Sequence, residues 1–212
     1  MRVTRVTAIR PRRGRRAALF GAATVLLAAC VGVQPPVPED RFYRLPDTDG
    51  SEHLQEPLLD GTVAVARPTA GGLHHERAVL YIDSERPLEI RRHNYYFWGD
   101  SPPRLIQAHL LSYLRAVGVG ERVMPFDPAV RADHVISGRL LRFERLLGPQ
   151  GPAVVVSLEL QLGAGGKSAR GPADTYTITR PVTDDSVSAA AQGFGAALEE
   201  IYGRFVAKLP GR

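Results

Sequence analysis

The 212-residue sequence has one cysteine, Cys30, and one tryptophan, Trp98. A single thiol excludes an intrachain disulfide, so the fold must stand on its hydrophobic core. Long apolar runs are missing too. The uncharged stretch from Ala17 to Ala29 holds roughly 13 residues, whereas spanning hydrocarbon takes about 20 helical residues. No Gly-x-Ser-x-Gly elbow occurs. Gly166-Lys167-Ser168 looks like the end of a phosphate-binding loop, but Gln161 stands where the first glycine belongs, and the segment joins two strands instead of opening a helix. It reads as a flexible hairpin tip. His74-His75-Glu76 invites a metal reading, yet the zincin spacing needs a histidine where Val79 stands, and adjacent side chains on a strand diverge. Solvated loop histidines are expected. His53, His93, His109 and His134 show no ligand spacing. These absences leave no catalytic residue, no metal site and no cofactor to assign, and argue against a periplasmic hydrolase.

Acidic residues are absent from the first 29 positions, which carry Arg2, Arg5, Arg10, Arg12, Arg13, Arg15 and Arg16 ahead of the apolar stretch. A basic region followed by a short apolar one is the pattern of a signal peptide, here residues 1–29, and not of a stable membrane span. The Arg15-Arg16 pair leaves Sec and twin-arginine export both open. The end of the stretch, Leu27-Ala28-Ala29-Cys30, resembles the lipobox of bacterial lipoproteins. Small residues suit a narrow peptidase site, and the Cys30 thiol is a nucleophile for a diacylglyceryl group. The resemblance implies lipidation at Cys30 by diacylglyceryl and N-acyl lipid, and each buried methylene contributes about 0.8 kcal/mol of membrane affinity. Val31 follows where an aspartate favours retention in the inner membrane, so the expected location is the outer membrane, facing the periplasm.

The formal charge of +5 points to an anionic partner, but without the seven signal-peptide arginines 20 basic residues face 22 acidic ones, a net charge of −2. A basic footprint for nucleic acid is therefore absent. The expected mature chain, residues 30–212, is long enough for one domain with a sizeable core. Residues 30–61 are proline-rich, with Pro35, Pro36, Pro38, Pro46 and Pro57, and read as a lipidated N-terminus and tether. Phe42-Tyr43-Arg44-Leu45 is the one short strand within it.

Residues 62–212 read as the domain. Thr62 to Arg67, Ala78 to Ile82 and Leu88 to Arg92 alternate as strands, the last two around a turn containing Pro87, and form a small antiparallel set. Ser101-Pro102-Pro103 opens a helix with Ile106, Leu110, Tyr113, Leu114 and Val117 on one face and Gly118 at its end. Strands follow near Val123, from His134 to Leu146, from Val154 to Leu162, and from Thr175 to Arg180. In the Val154 strand even positions are apolar and odd ones mostly polar, which predicts one buried and one wet face. Asp184-Asp185-Ser186 reads as helix capping. Val187, Ala191, Phe194, Leu198, Ile201, Phe205 and Leu209 then mark an amphipathic C-terminal helix. The expected fold is α/β (α+β): two layers, a mostly antiparallel sheet, and two main helices packed on one face.

The aromatic tract Tyr95-Tyr96-Phe97-Trp98 is open to two readings, core packing beneath the helix start or a partner-binding surface with Tyr95, Tyr96 and Trp98 as its contacts. Together with the lipobox, Phe42 to Leu45, Pro102-Pro103, Ala132-Asp133-His134-Val135-Ile136-Ser137-Gly138, Phe143-Glu144, the Val154 to Leu162 strand and the closing helix, it resembles the PqiC-like family of ABC-type transport auxiliary lipoproteins. The resemblance implies a small mixed α/β domain without catalysis. It also implies that the chain accompanies an ABC transporter and an MCE-domain protein in moving lipids between the inner and outer membranes. The domain is then expected to bind an MCE-type partner or a neighbouring copy as a homo-oligomer. A structural outer-membrane lipoprotein for envelope assembly or peptidoglycan binding is the alternative.

Overall fold

The computed structural model describes residues 38–48, 53–165 and 171–210. The expected signal peptide, Cys30 and the Gly166–Ser168 tip lie outside the described residues. One compact unit runs from Glu39 to Arg212.

Its elements in chain order are β1 (Arg41–Tyr43), β2 (Leu59–Val65), β3 (Thr69–Ala70), a 3-10 turn (Gly72–His75), β4 (Ala78–Asp83), β5 (Ile90–Trp98), α1 (Pro102–Val117), β6 (Gly120–Pro125), β7 (His134–Leu147), β8 (Ala153–Ala164), β9 (Asp174–Pro181) and α2 (Val187–Val206). The expected tether is partly taken into the fold. β1 joins the sheet, Leu45 is buried in the core, and β2 begins at Leu59.

The nine strands form one curled sheet, organised around β7. Along one edge β7 pairs with β8 without a break in direction, from His134 opposite Ala164 to Leu146 opposite Ala153, and β9 follows outside β8. Three shorter strands share the other edge. β2 takes His134 to Ile136, β3 takes Arg139 and Leu140, and β4 takes Glu144 to Leu147, all of them parallel to β7. The sheet thus forks, with β6 beyond β2 on one arm and β5 and β1 beyond β4 on the other. Five of the eight pairings are parallel.

That corrects the expectation of a mostly antiparallel sheet. Alternation along a strand reports which face is wet and carries no information about the direction of its neighbour. Direction follows from the connections. β2 and β6, and β4 and β7, are joined through α1 and other elements, long enough for a crossover that brings the later strand in parallel.

The two helices share one core cluster with the sheet. α1 buries Ile106, Leu110, Tyr113, Leu114 and Val117 at helical spacing, starts at Pro102, and stops at Gly118, whose φ of 75° is open to glycine without strain. Its serine does not cap with its side chain; the Ser101 carbonyl accepts from Arg104 and Leu105 instead. α2 is capped as expected, with Ser186 Oγ accepting from Ala189 N at 3.0 Å and Asp184 Oδ1 accepting from Ser186 N at 2.8 Å. At Gly193 of α2 a Cβ would meet Val154 at 3.1 Å, so this glycine lets the helix lie close on β8. Trp98 of β5, Phe143 of β7 and Phe194 of α2 meet at the centre, with ring centroids 4.1 to 5.5 Å apart. Such aromatic contacts add roughly 0.5–1.5 kcal/mol each beyond the area they bury.

The alternation of β8 is also only half realised. Val155 and Ser157, expected on a wet face, are buried. Val155 stands opposite Glu144, which His74 of the 3-10 turn reaches, and Ser157 is hydrogen-bonded to Thr177 at 2.8 Å. Among the described residues no helix is long and apolar enough to cross a membrane.

Candidate functional site

The aromatic tract occupies the end of β5, and the structure divides it. Trp98 is 1 % exposed and belongs to the core, so it offers no surface to a partner and leaves the expected contact set. Tyr96 is half-buried. Tyr95 is 39 % exposed. The cause is an irregularity between β4 and β5. Ala78 pairs with Phe97 and Leu80 with Arg92, so the four residues His93 to Tyr96 stand opposite Val79 alone. A bulge of this kind bends the strand and re-aims its side chains.

β1 lies against this segment. Arg41, Phe42 and Tyr43 pair in parallel with Tyr96, Phe97 and Trp98. Phe42 is 59 % exposed, sits 5.8 Å from the Phe97 ring, and carries the Arg77 guanidinium over its own face at 5.3 Å. Arg77 is held there because its Nε donates to the Trp98 carbonyl at 3.1 Å. An open cleft of about 570 Å³ follows, lined by Phe42, Glu76, Arg77, Arg92, Asn94 and Phe97 among others. Its walls mix an aromatic strip with an Arg92–Glu76 ion pair at 3.5 Å. Such a surface combines the residue types enriched in protein interfaces, aromatics and arginine.

Behind the bulge lies a buried cation. Arg145 of β7 donates from Nη1 to His93 Nε2 at 2.9 Å and from Nη2 to the Asp185 carbonyl just ahead of α2. Burial lowers the pKa of Arg145, while Asp185, Tyr96, Tyr43 and Asp184 act in the opposite direction. The imidazole of His93, packed between Tyr81 and Tyr96, is brought down to about 4 by burial and then by the Arg145 charge. Neutral His93 is the state that can accept from Arg145. The result is a rigid link from the bulge to the start of α2, formed by two residues that the spacing of histidines did not bring together.

The histidine pair is split as well. His75 stays at the end of the 3-10 turn, whereas His74 is not a solvated loop residue: its Nε2 lies 2.6 Å from Glu144 Oε1. Glu144 is 1 % exposed and also accepts from Arg142 Nε at 3.1 Å. Both partners hydrogen-bond a carboxylate that burial would otherwise penalise, and the Arg142 guanidinium brings the opposite charge. The arrangement closes the fork of the sheet; among the described residues no three His, Cys, Asp or Glu side chains converge as metal ligands. His109 of α1 is buried against Tyr202 with neither ring nitrogen hydrogen-bonded among the described residues. Burial lowers its pKa to about 4, against weaker upward contributions from the Pro46 backbone and the Asp47 carboxylate.

Sequence reasoning overlooked Phe42 as a surface residue and overlooked Leu88, which is fully exposed in the β4–β5 turn. The available signal was a large apolar side chain, between Pro87 and Glu89, in a segment otherwise fit for a polar turn.

Comparison with known proteins covers most of this domain. No curated protein matches the chain. Among solved structures it is similar to protein XCC0632 from Xanthomonas campestris, at 18% identity and a TM-score of 0.68, over 78% of this chain and 92% of that one. A second, uncharacterised protein is 14% identical with a TM-score of 0.62, over 81% of this chain and 99% of that one. These similarities concern the fold. The PelC dodecamer from Paraburkholderia phytofirmans is more distant, at 16% identity and a TM-score of 0.44, over 75% of this chain and 95% of that one. The model of one family, described as the ABC-type transport auxiliary lipoprotein component, matches residues 43–204, from β1 to the last turn of α2. The chain therefore belongs to the ABC-type transport auxiliary lipoprotein family, an auxiliary component of an ABC-type transport system anchored to a membrane as a lipoprotein.

Proposed function

We propose that this lipoprotein is acylated on Cys30, resides in the outer membrane, and presents its domain to the periplasm to dock an MCE-domain protein of an ABC system that carries lipids between the two membranes. Its role is non-enzymatic. The observation that carries the reading is the family match over residues 43–204, which makes the chain a transport component. The lipobox ending at Cys30 and the Val31 that follows support acylation and the outer membrane. Phe42, exposed with the Arg77 guanidinium over its ring, and Tyr95, exposed on the bulge of the neighbouring β5, are the contacts we assign to the protein partner, with half-buried Tyr96 packed on Tyr43 and His93.

The test is capture from envelopes in mild detergent, after cross-linking, with the full acylated chain as bait. Recovery of an MCE-domain protein, reduced several-fold by Tyr95→Ser, is the expected result. Recovery of peptidoglycan or of a β-barrel protein alone would replace the transport reading with a structural one. Mass spectrometry of the mature N-terminus checks the anchor; a free thiol at Cys30 or an uncut leader would overturn it.

A further inference from the structure

The strand directions place Asp40, just ahead of β1, and two hairpin tips toward the same end of the domain. β1 runs parallel to β5, so the chain ahead of Arg41 leaves toward the start of β5, and Asp40 already shares a cleft with Arg92, His93 and Asn94. The start of β5 is where the β4–β5 turn, Ser84 to Glu89, projects. The β7–β8 turn lies beside it, because β4 and β7 are parallel and end together at Asp83 and Leu147, with Ser84 N donating to the Leu147 carbonyl at 2.8 Å.

These two tips share an uncommon surface. Leu88 is 99 % exposed and Ile90 is exposed beside it. From Leu146 to Ala153 there is no charged residue, and Gly148 to Gly151 are exposed. From Asp83 to Arg92 three acidic residues face three arginines, and Arg86 and Arg91 both reach Glu89, at 3.6 and 3.2 Å. An apolar protrusion with neutralised flanks has no role in the core and fits a boundary between water and acyl chains.

Tether length makes this contact reachable. Ten residues, Val31 to Asp40, have a reach of about 31 Å at the polyproline II rise and about 35 Å fully extended. Across the bulge, the stretch of β4 from Ala78 to Ile82 spans Phe97 back to Ile90, so Ile90 lies about 13 Å from the level of β1, and Leu88 projects beyond it. With the strands upright, a taut tether would hold the tip about 20 Å from the surface that holds the lipid and a slack one lets it touch, so the tether permits the contact and the exposed apolar tip is what favours it. We propose that the Leu88 turn, with the uncharged Gly148–Pro152 turn beside it, is a membrane-contact surface that inserts at the lipid interface and sets the domain upright, with the β4–β5 tip toward the bilayer. The inference rests on the assignment of Cys30 as the acylated residue.

The experiment uses the full acylated chain in vesicles of phosphatidylethanolamine and phosphatidylglycerol, and in vesicles of phosphatidylcholine alone. A polarity-sensitive dye is attached at Leu88→Cys or, as the control at the other end of the sheet, at exposed Ala173→Cys; Cys30 is already blocked by lipid. Quenching by lipids spin-labelled high on the acyl chain should be at least about threefold stronger at position 88 than at 173, in both vesicle types, since the tip carries balanced charge. Equal, weak quenching at the two positions in protein that floats with the vesicles would overturn the contact and leave the anchor standing. A dye shift at 88 that grows with protein density, without lipid quenching, would assign the tip to a second copy and overturn the proposal. Protein that fails to float would overturn the Cys30 anchor, and the proposal with it.

Discussion

The two edges of β7 are held by different means. On the β8 side, a hairpin neighbour pairs with it over its whole length, and the contacts are local in sequence. On the other side, β2, β3 and β4 arrive from more than sixty residues away, each covering a few positions, and the space between them is closed by the 3-10 turn and the His74–Glu144–Arg142 cluster. The first edge is stabilised by backbone pairing and the core beneath it. The second depends on a buried carboxylate whose satisfaction is tertiary. Where a sheet is locally built, side chains only need to fit; where it is assembled from distant segments, polar side chains must seal the joints.

Substitutions distinguish the two. The largest effect is expected at the centre of the core: Trp98→Ala empties the space beside the stacked Phe143 and Phe194 rings and should cost about 3–5 kcal/mol in urea denaturation, lowering both edges together. If instead stability is kept and partner capture is lost, the tryptophan is a contact residue after all. Gly138→Ala addresses the continuous edge. A Cβ there would collide with the Glu159 carbonyl of β8, and a loss of about 1–3 kcal/mol is expected, with faster hydrogen exchange centred on β8 and β9.

Glu144→Ala addresses the forked edge. It removes the acceptor of both His74 and Arg142 and should cost about 1–3 kcal/mol. Exchange should rise in β4, β5 and β1 and remain slow in β8. Equal loosening of both edges would remove the distinction drawn above.

Two buried histidines make a smaller, pH-dependent contribution. His93 and His109 both have pKa values near 4 in the folded chain against 6.5 in the unfolded one. Between those values the unfolded chain binds protons that the folded chain does not. Their contribution is therefore complete above about pH 6.5 and is lost as the pH falls through 4. His109→Leu should flatten part of this dependence in denaturation curves, because it removes a ring that burial keeps neutral. An unchanged slope would mean that the ring is protonated or bonded in the fold. The smallest effect on stability, within about 0.5 kcal/mol, is expected for Tyr95→Ser, whose consequence should be confined to partner capture.

Much of the fold was legible because its signals are local. Ser101-Pro102 and Gly118 delimit α1, Asp184 to Ser186 caps α2, and the Val154 to Leu162 pattern marks β8. The candidate site was legible only as composition. The same four letters from Tyr95 to Trp98 contain a surface residue and the centre of the core, and the difference is decided by a bulge against Val79. Strand periodicity cannot announce a bulge, since it assumes the register that the bulge breaks.

By itself, the sequence carried the basic-then-apolar pattern of the first 29 residues, the single thiol that follows it, both helices, most of the strands and the family resemblance, all of which depend on residues close together along the chain. Only the tertiary structure decided that the sheet is forked and largely parallel, that His74 meets Glu144, that Trp98 is internal, and that Leu88 is exposed at the tip of the β4–β5 turn. These are consequences of strand direction and register, set by contacts between segments far apart in sequence, about which a local pattern is silent.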